Sequence, residues 1–174
     1  SCCSVVVQLL LFFIFNRKPR AHHPHCSCSC SLLFPLQDAK PLIMRALAVN
    51  PQHPYALLAN ALLLQSNRDY DEAERNFTEA RTILPKELSI VTHYSNFLKK
   101  CSANYKKSEA LFQYGMTLNP CDPDHLGAYA QFMFKVRGNT ERADYLFAKA
   151  IEADPTHWHN LSRHANMLKK TGRE

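Results

Sequence analysis

The sequence predicts an all-α protein, an array of antiparallel helix–turn–helix units stacked on one another. A proline recurs at separations of 34, 35 and 35 residues, and small and bulky residues keep fixed distances before each proline. A second apolar pattern follows each proline, again at fixed distances. A period of this length is typical of helical-repeat proteins, in which each hairpin buries its apolar face only against its neighbours.

The residues that precede each proline predict the second helix of each unit. The residue twelve positions earlier is small, the residue eight positions earlier is large and apolar, and the residue five positions earlier is small again. The small residues allow two helices to approach closely, and the bulky residue fills the groove between them. The proline ends the helix because it lacks an N–H and its ring clashes with the preceding turn. The columns are Ala39, Ile43 and Ala46 before Pro51; Ala73, Phe77 and Ala80 before Pro85; Ser108, Phe112 and Gly115 before Pro120; and Ala143, Phe147 and Ala150 before Pro155.

The residues that follow each proline predict the first helix of the next unit. Apolar or small residues stand six, ten and thirteen positions after it, a spacing that places them on one helical face. Turn residues then separate the two helices, at 66–69, 101–104 and 138–140. The columns are Leu57, Ala61 and Leu64; Val91, Ser95 and Leu98; Leu126, Ala130 and Met133; and Leu161, Ala165 and Leu168.

The small–large–small–proline pattern resembles the second helix of the tetratricopeptide repeat, whose period is about 34 residues. The resemblance covers residues 37–174 and implies a right-handed α-solenoid. The family's Leu-Gly pair is present only as Leu126-Gly127, and its early tryptophan only as Trp158. Both ends of the array fall at half a repeat, so we expect a fragment of a longer protein. The predicted units are 52–85, 86–120 and 121–155, with part units at 37–51 and 156–174.

Residues 1–36 differ in composition and are expected to form a disordered, low-complexity leader. The apolar run from Val5 to Phe15 is about half as long as a membrane-spanning helix. A truncated signal or anchor is the alternative, and contact with a membrane is expected only in that case. The leader also holds a compressed tract of soft metal ligands, His22, His23, His25, Cys26, Cys28 and Cys30. Its spacing does not match paired zinc knuckles, so no metal site is predicted.

Charge and cysteine content restrict the classes of function. Of the formal net charge of +6, the part of the chain from Asp38 onward carries +3, from 18 basic and 15 acidic residues. This excess is too small to indicate nucleic-acid binding by itself. Five of the seven cysteines lie in the leader, which leaves no disulfide framework in the repeats. Free thiols favour a reducing compartment, and we expect a cytoplasmic protein.

The resemblance implies that the first helices line a concave groove in which peptides or partner helices bind. Residues at equivalent positions of the first helices form two ladders across such a groove. One is made of carboxamides, which donate and accept hydrogen bonds and suit a peptide backbone; Leu62 is its exception. The other is basic and suits an acidic peptide, although lysines also favour helix C-termini for electrostatic reasons alone. The predicted groove residues are Thr92, Asn96, Lys99, Gln131, Lys135, Arg163, Asn166 and Lys169.

Nothing in the sequence predicts catalysis, because it contains no phosphate-binding glycine loop, no H-E-x-x-H and no G-x-S-x-G. No catalytic residue, cofactor, metal or small-molecule substrate is therefore expected. The function predicted is that of a protein-interaction adaptor. An RNA-processing repeat protein of the pentatricopeptide or half-a-TPR kind is one alternative, suggested by the 35-residue units. A structural spacer within a longer solenoid is the other.

Overall fold

The structure, a computed structural model, describes residues 39–172, and the predicted leader lies outside them. The described residues contain eight α-helices and two π-helical turns, and they form two compact units that divide between Ile83 and Leu84. The helices of the first unit are α1 (Ala39–Val49), α2 (Pro54–Asn67) and α3 (Tyr70–Ile83). The helices of the second are α4 (Leu88–Phe97), α5 (Tyr105–Leu118), α6 (Pro123–Phe132), α7 (Thr140–Ala153) and α8 (Trp158–Lys170).

The first unit is one complete hairpin preceded by a single second helix. α2 packs along α3, and α1 packs against α2. Ala39 and Ile43 of α1 form a small core with Ala59 of α2, while Phe77 of α3 is fully buried. The first unit therefore follows the predicted order of second helix, first helix, second helix.

The second unit contains two hairpins and one further first helix. α4 pairs with α5, and α6 pairs with α7. α6 also contacts α5, and α8 contacts α7, so α6 and α8 each pack on the second helix that precedes them. In addition α4 contacts α6 and α6 contacts α8, which places the three first helices side by side in one row. The predicted groove residues other than Thr92 lie along this row.

The burial of the predicted columns confirms the repeat. In α3, α5 and α7 all nine column residues are buried, and so are the six that belong to α4, α6 and the turns directly after them. α8 differs, because Leu161 is 41% exposed, Ala165 is exposed and Leu168 is only partly buried. The equivalent face of α8 is therefore open, whereas those of α4 and α6 are covered by α5 and α7.

The turns contain a feature that the sequence does not reveal. α4 and α6 each continue into a single π-helical turn, at Leu98–Ser102 and Met133–Arg137. Each turn ends at a residue in the left-handed region, Ala103 with a φ of 48° and Gly138 with a φ of 66°. The next residue in each case is an asparagine that caps the following helix, as the turn sequences predict. The side chains of Asn104 and Asn139 accept hydrogen bonds from the backbone N–H groups of Lys107 and Arg142.

α6 and α8 also bury a second face, against the repeat that precedes each of them. The residues of this face that stand five positions after the proline are His125 and Asn160, and both are fully buried. His125 Nε2 lies 2.9 Å from the backbone oxygen of Phe112 in α5. Asn160 Nδ2 donates a hydrogen bond to the backbone oxygen of Pro123, at 2.7 Å. Polar side chains thus connect successive repeats within an otherwise apolar interior.

Candidate peptide-binding groove

The candidate site lies along the row formed by α4, α6 and α8. Asn96 and Gln131 are in the last turns of α4 and α6, and Asn166 is at the equivalent position of α8. Because the three helices are neighbours, equivalent positions form a line across the row. All the predicted groove residues belong to the second unit.

Two basic residues of the site are carried by the π-helical turns. Lys99 lies in the turn after α4, and Lys135 lies in the turn after α6. Lys169 is in the last turn of α8, which is an ordinary α-helix. A π-helical turn inserts an extra residue into the helix and changes the direction in which the following side chains point. Such turns are frequent at functional sites.

Lys99 is the most enclosed of the groove lysines. Its Nζ donates a hydrogen bond to Asn96 Oδ1, at 2.8 Å, and lies 5.9 Å from the centre of the Phe112 ring. Burial lowers the pKa of Lys99 to about 8, and the charges of Lys100, Arg163 and Lys135 lower it further in the same direction. The charges that act on Lys99 are all positive.

The structure therefore places three cations, Lys99, Lys135 and Arg163, on three successive repeats, and the charges of Lys135 and Arg163 act on Lys99. Burial also lowers the pKa of Arg163, and the carboxylate of Asp124 partly opposes that effect. Lys135 is exposed and Arg163 is half-buried. Positive groups that act on one another repel, and an anion bound near them offsets that repulsion.

The carboxamides are placed less uniformly than the ladder predicts. Asn96 and Gln131 are half-buried, while Asn166 is exposed, as is Lys169. Asn96 already accepts the hydrogen bond of Lys99. Asn96 therefore orients a cation, and the other two carboxamides extend the line along α6 and α8.

Thr92 lies inside the protein and not on the row. It is 9% exposed, and its Oγ1 is 2.7 Å from His125 Nδ1 and 2.8 Å from the backbone oxygen of Leu88. Burial lowers the pKa of His125, which favours the neutral imidazole. Thr92 thus connects α4 to α6, and its hydroxyl is used for packing between repeats.

A group of residues around Asp124 belongs to the same row and was not predicted as part of the site. His93 is at the position in α4 that Arg163 occupies in α8, and burial lowers its pKa to about 4. Burial lowers the pKa values of His159 and Arg163 as well, and the carboxylate of Asp124 partly opposes the lowering at all three residues. Asp124 Oδ1 also lies 3.1 Å from His157 Nε2. The sequence feature that could have revealed this group is that His93 and Arg163 both stand eight residues after a repeat proline.

Trp158, which stands where the resemblance places the family's early tryptophan, is 48% exposed at the start of α8. Its ring stacks on that of His159, with centroids 3.6 Å apart. Within residues 39–172 no group of three or more His, Cys, Asp or Glu side chains could hold a metal ion. In the same range no helix has the length and apolar character to cross a membrane.

Comparison with solved structures identifies the fold. The chain is similar to a thermophilic TPR protein of Thermus thermophilus, at 18% identity and a TM-score of 0.69, over 79% of this chain and 75% of that one. It is also similar to PilF of Pseudomonas aeruginosa, at 16% identity and a TM-score of 0.70, over 97% of this chain and 68% of that one.

A third similar structure is a tetratricopeptide repeat protein from Parabacteroides merdae, at 18% identity and a TM-score of 0.64 over 79% of this chain. This chain spans about half of that protein, 53% of its length. No protein-family model and no curated protein matches the sequence. The fold is an all-α, tetratricopeptide-like helical repeat, as the proline period predicts.

Proposed function

We propose that the chain is an adaptor that binds an acidic peptide segment along the row formed by α4, α6 and α8. The contacting residues are Asn96, Lys99, Gln131, Lys135, Arg163, Asn166 and Lys169. Thr92 is left out because its hydroxyl is occupied inside the protein. No catalytic step and no cofactor is part of this proposal.

The observation that carries the proposal is the grouping of Lys99, Lys135 and Arg163. Each comes from a different first helix, so the grouping depends on how the repeats stack. Mutual repulsion and partial burial disfavour it in the free protein, as the lowered pKa of Lys99 indicates. A carboxylate-bearing ligand would offset both effects. Clusters of strongly perturbed ionisable groups are more frequent at functional sites than elsewhere.

The carboxamides support a peptide as the ligand rather than a lone anion. Gln131 and Asn166 continue the line of the cations along α6 and α8. Each amide group offers both a donor and an acceptor, which is what an extended peptide backbone presents in alternation. A peptide with an acidic side chain near Lys99 and its backbone along Gln131 and Asn166 would contact the cations and the carboxamides at the same time.

RNA is a weaker candidate because the phenylalanines at the repeated positions provide no stacking platform. Phe112 and Phe147 are buried in the core of the second unit, and single-stranded nucleic acid is usually held by exposed aromatic rings together with cations. The adaptor is proposed to work in the cytoplasm, since Cys101 and Cys121 are both free thiols. A spacer role would require that the row bind no ligand.

The test is binding of short fluorescein-labelled peptides to the full chain, measured by fluorescence anisotropy. The peptides have one length and differ in the number of Asp and Glu residues; a poly-uridine oligonucleotide is the RNA probe. Affinity should rise with acidic content. Lys99→Ala should weaken binding about tenfold, and Lys135→Ala a few-fold, because Lys99 is the less hydrated of the two.

Lys106→Ala is the matched control, because Lys106 is an exposed lysine in the first turn of α5. It should leave peptide binding unchanged. Equal losses in Lys106→Ala and Lys99→Ala would show only a non-specific charge effect. Tighter binding of the oligonucleotide than of any peptide would favour the RNA alternative, and no saturable binding of either probe would favour the spacer.

A further inference from the structure

One carboxylate in the row of α4, α6 and α8 has no part in the proposed function. Asp124 lies in the first turn of α6, the central helix of the row, and its side chain is 79% exposed. The first turns of α4 and α8 contain no acidic residue. Asp124 is therefore an exposed negative charge on a surface whose other proposed contacts are cations and carboxamides.

The start of α6 does not need this carboxylate as a cap. Acidic residues are common in the first turn of a helix because they bind its free N–H groups and complement its dipole. In α6 the cap is Asp122, whose Oδ1 accepts a hydrogen bond from the backbone N–H of His125 at 2.7 Å. Among the described residues the hydrogen-bond partner of Asp124 is His157, which contacts Oδ1. A carboxylate accepts several hydrogen bonds, so Asp124 can also accept one from a ligand.

Asp124 acts on both of the helices that flank α6. Burial lowers the pKa values of His93 in α4 and of His159 and Arg163 in α8, and the neighbouring carboxylate opposes that lowering at each of them. Asp124 and Gln131 are also seven residues apart, which places them on the same face of α6. The carboxylate thus belongs to the face of α6 along which the proposed peptide lies.

The negative and positive groups of α6 stand at its opposite ends. Asp124 is in the first turn, and Lys135 is in the π-helical turn that follows the last residue. At a rise of about 1.5 Å per residue, the two positions are roughly 16 Å apart along the helix. An extended peptide advances by about 3.3 Å per residue, so about five residues span this distance. One short segment can therefore reach both groups at once.

We propose that the row selects a peptide of mixed charge, in which a lysine or arginine stands about five residues from the acidic side chain. This inference rests on the proposed function: the acidic side chain lies near Lys99 and Lys135, and the basic side chain binds Asp124. Asp124 is then a specificity-determining residue. It repels a segment that is acidic throughout, and it attracts one that carries a basic residue at this spacing.

The test compares fluorescein-labelled peptides of one length that carry a Glu-Glu pair among glycines and serines. A further position, at a short, intermediate or long spacing from the pair, holds either lysine or glutamine. Anisotropy titrations with the full chain give the ratio of the two dissociation constants at each spacing. Lysine reduces the negative charge of the peptide, so general attraction to the basic groups predicts weaker binding. At a spacing of about five residues the lysine peptide should instead bind about twofold to fivefold more tightly, the effect of one exposed ion pair.

Asp124→Asn is the test variant, and the ratio is the readout because loss of a carboxylate strengthens the binding of every acidic peptide. The preference for lysine should disappear in Asp124→Asn. In Asp124→Lys a glutamate at the same peptide position should bind more tightly than glutamine. Glu141→Gln is the matched control, since Glu141 is an exposed acidic residue in the first turn of α7, and it should keep the preference for lysine. Equal melting temperatures would confirm that the variants fold.

The outcomes separate this inference from the proposed function. Acidic peptides that bind through Lys99 but show no preference for lysine at any spacing would overturn the inference and leave the proposed function standing. The same preference in Asp124→Asn as in wild type would also overturn it, because the basic side chain would then bind elsewhere. If no peptide of the series bound saturably, both the inference and the proposed function would fail.

Discussion

Asn160 of α8 occupies the space that a side chain on Gly127 of α6 would need, because a Cβ at residue 127 would overlap Asn160 Oδ1. Asn160 is fully buried and donates a hydrogen bond to the backbone oxygen of Pro123. In the preceding repeat Gly115 of α5 makes room for His125 of α6, because a Cβ at residue 115 would overlap the imidazole ring. In both places a glycine allows a buried polar side chain of a neighbouring helix to approach closely.

Gly127→Ala is expected to destabilise the protein by about 1–3 kcal/mol, the usual range for overpacking a dense interior. Alanine favours a helix over glycine by about 1 kcal/mol, so a net loss would show that the clash outweighs propensity. The measurement is urea denaturation followed by circular dichroism.

The same substitution made in an Asn160→Ala background supplies the control, since the overlap with Oδ1 is then gone. Gly127→Ala should cost less than about 0.5 kcal/mol there, or should stabilise through helix propensity. Identical costs in both backgrounds would mean that Asn160 is not what excludes a side chain at residue 127.

Stability should rise with pH above neutrality because of Lys99. Burial and three neighbouring positive charges lower its folded-state pKa from 10.5 to about 8. Between pH 8 and 10.5 the unfolded chain therefore holds a proton that the folded chain has released. The free energy of unfolding then increases with pH, by on the order of 1 kcal/mol after allowance for partial exposure.

Urea denaturation at pH 7, 8, 9 and 10 checks this expectation, with Lys99→Gln as the variant and Lys106→Gln as the control. Lys99→Gln should be more stable than wild type at pH 7, and its free energy of unfolding should not increase with pH. A rise of the same size in Lys99→Gln would assign the effect to other groups.

Binding of an acidic peptide should weaken as pH rises above 8. The charged form of Lys99 is the one that attracts a carboxylate, and a bound anion raises its pKa, so binding takes up a proton near pH 8. We expect affinity to fall between pH 8 and 10 in wild type and to change less in Lys99→Gln. Calorimetry in buffers of different ionisation enthalpy measures the proton uptake directly. An affinity independent of pH in wild type would separate Lys99 from the ligand.

The hairpin architecture could be predicted because it rests on local patterns that repeat. Ala143, Phe147 and Ala150 have the spacing of one helical face, and the following proline marks the helix end, so the sequence alone determines the element and its buried side. All three are buried in α7. The row of first helices follows from stacking these hairpins, which is why Lys99 and Lys135 could be assigned to one surface.

The details of the candidate site could not be predicted in the same way. They depend on contacts between repeats, which leave a weaker pattern in a single sequence. Thr92 has the spacing of a groove residue, but its hydroxyl is hydrogen-bonded inside the protein to His125 of the next repeat. The π-helical turns that carry Lys99 and Lys135 add one residue without changing the apolar columns. His93 was overlooked because its position holds Arg163 in α8 and an alanine, Ala128, in α6.

Acid should destabilise the protein through His93. Its folded-state pKa is lowered by burial to about 4, with Asp124 opposing, whereas the unfolded value is 6.5. As pH falls from 6.5 toward 4 the unfolded chain binds a proton that the folded chain does not, so stability is lost, by roughly 2–3 kcal/mol. His93→Gln should lose less between these pH values in urea denaturation, while His125, whose pKa burial also lowers, leaves a residual effect. Equal losses in wild type and His93→Gln would mean that His93 titrates freely in the folded protein.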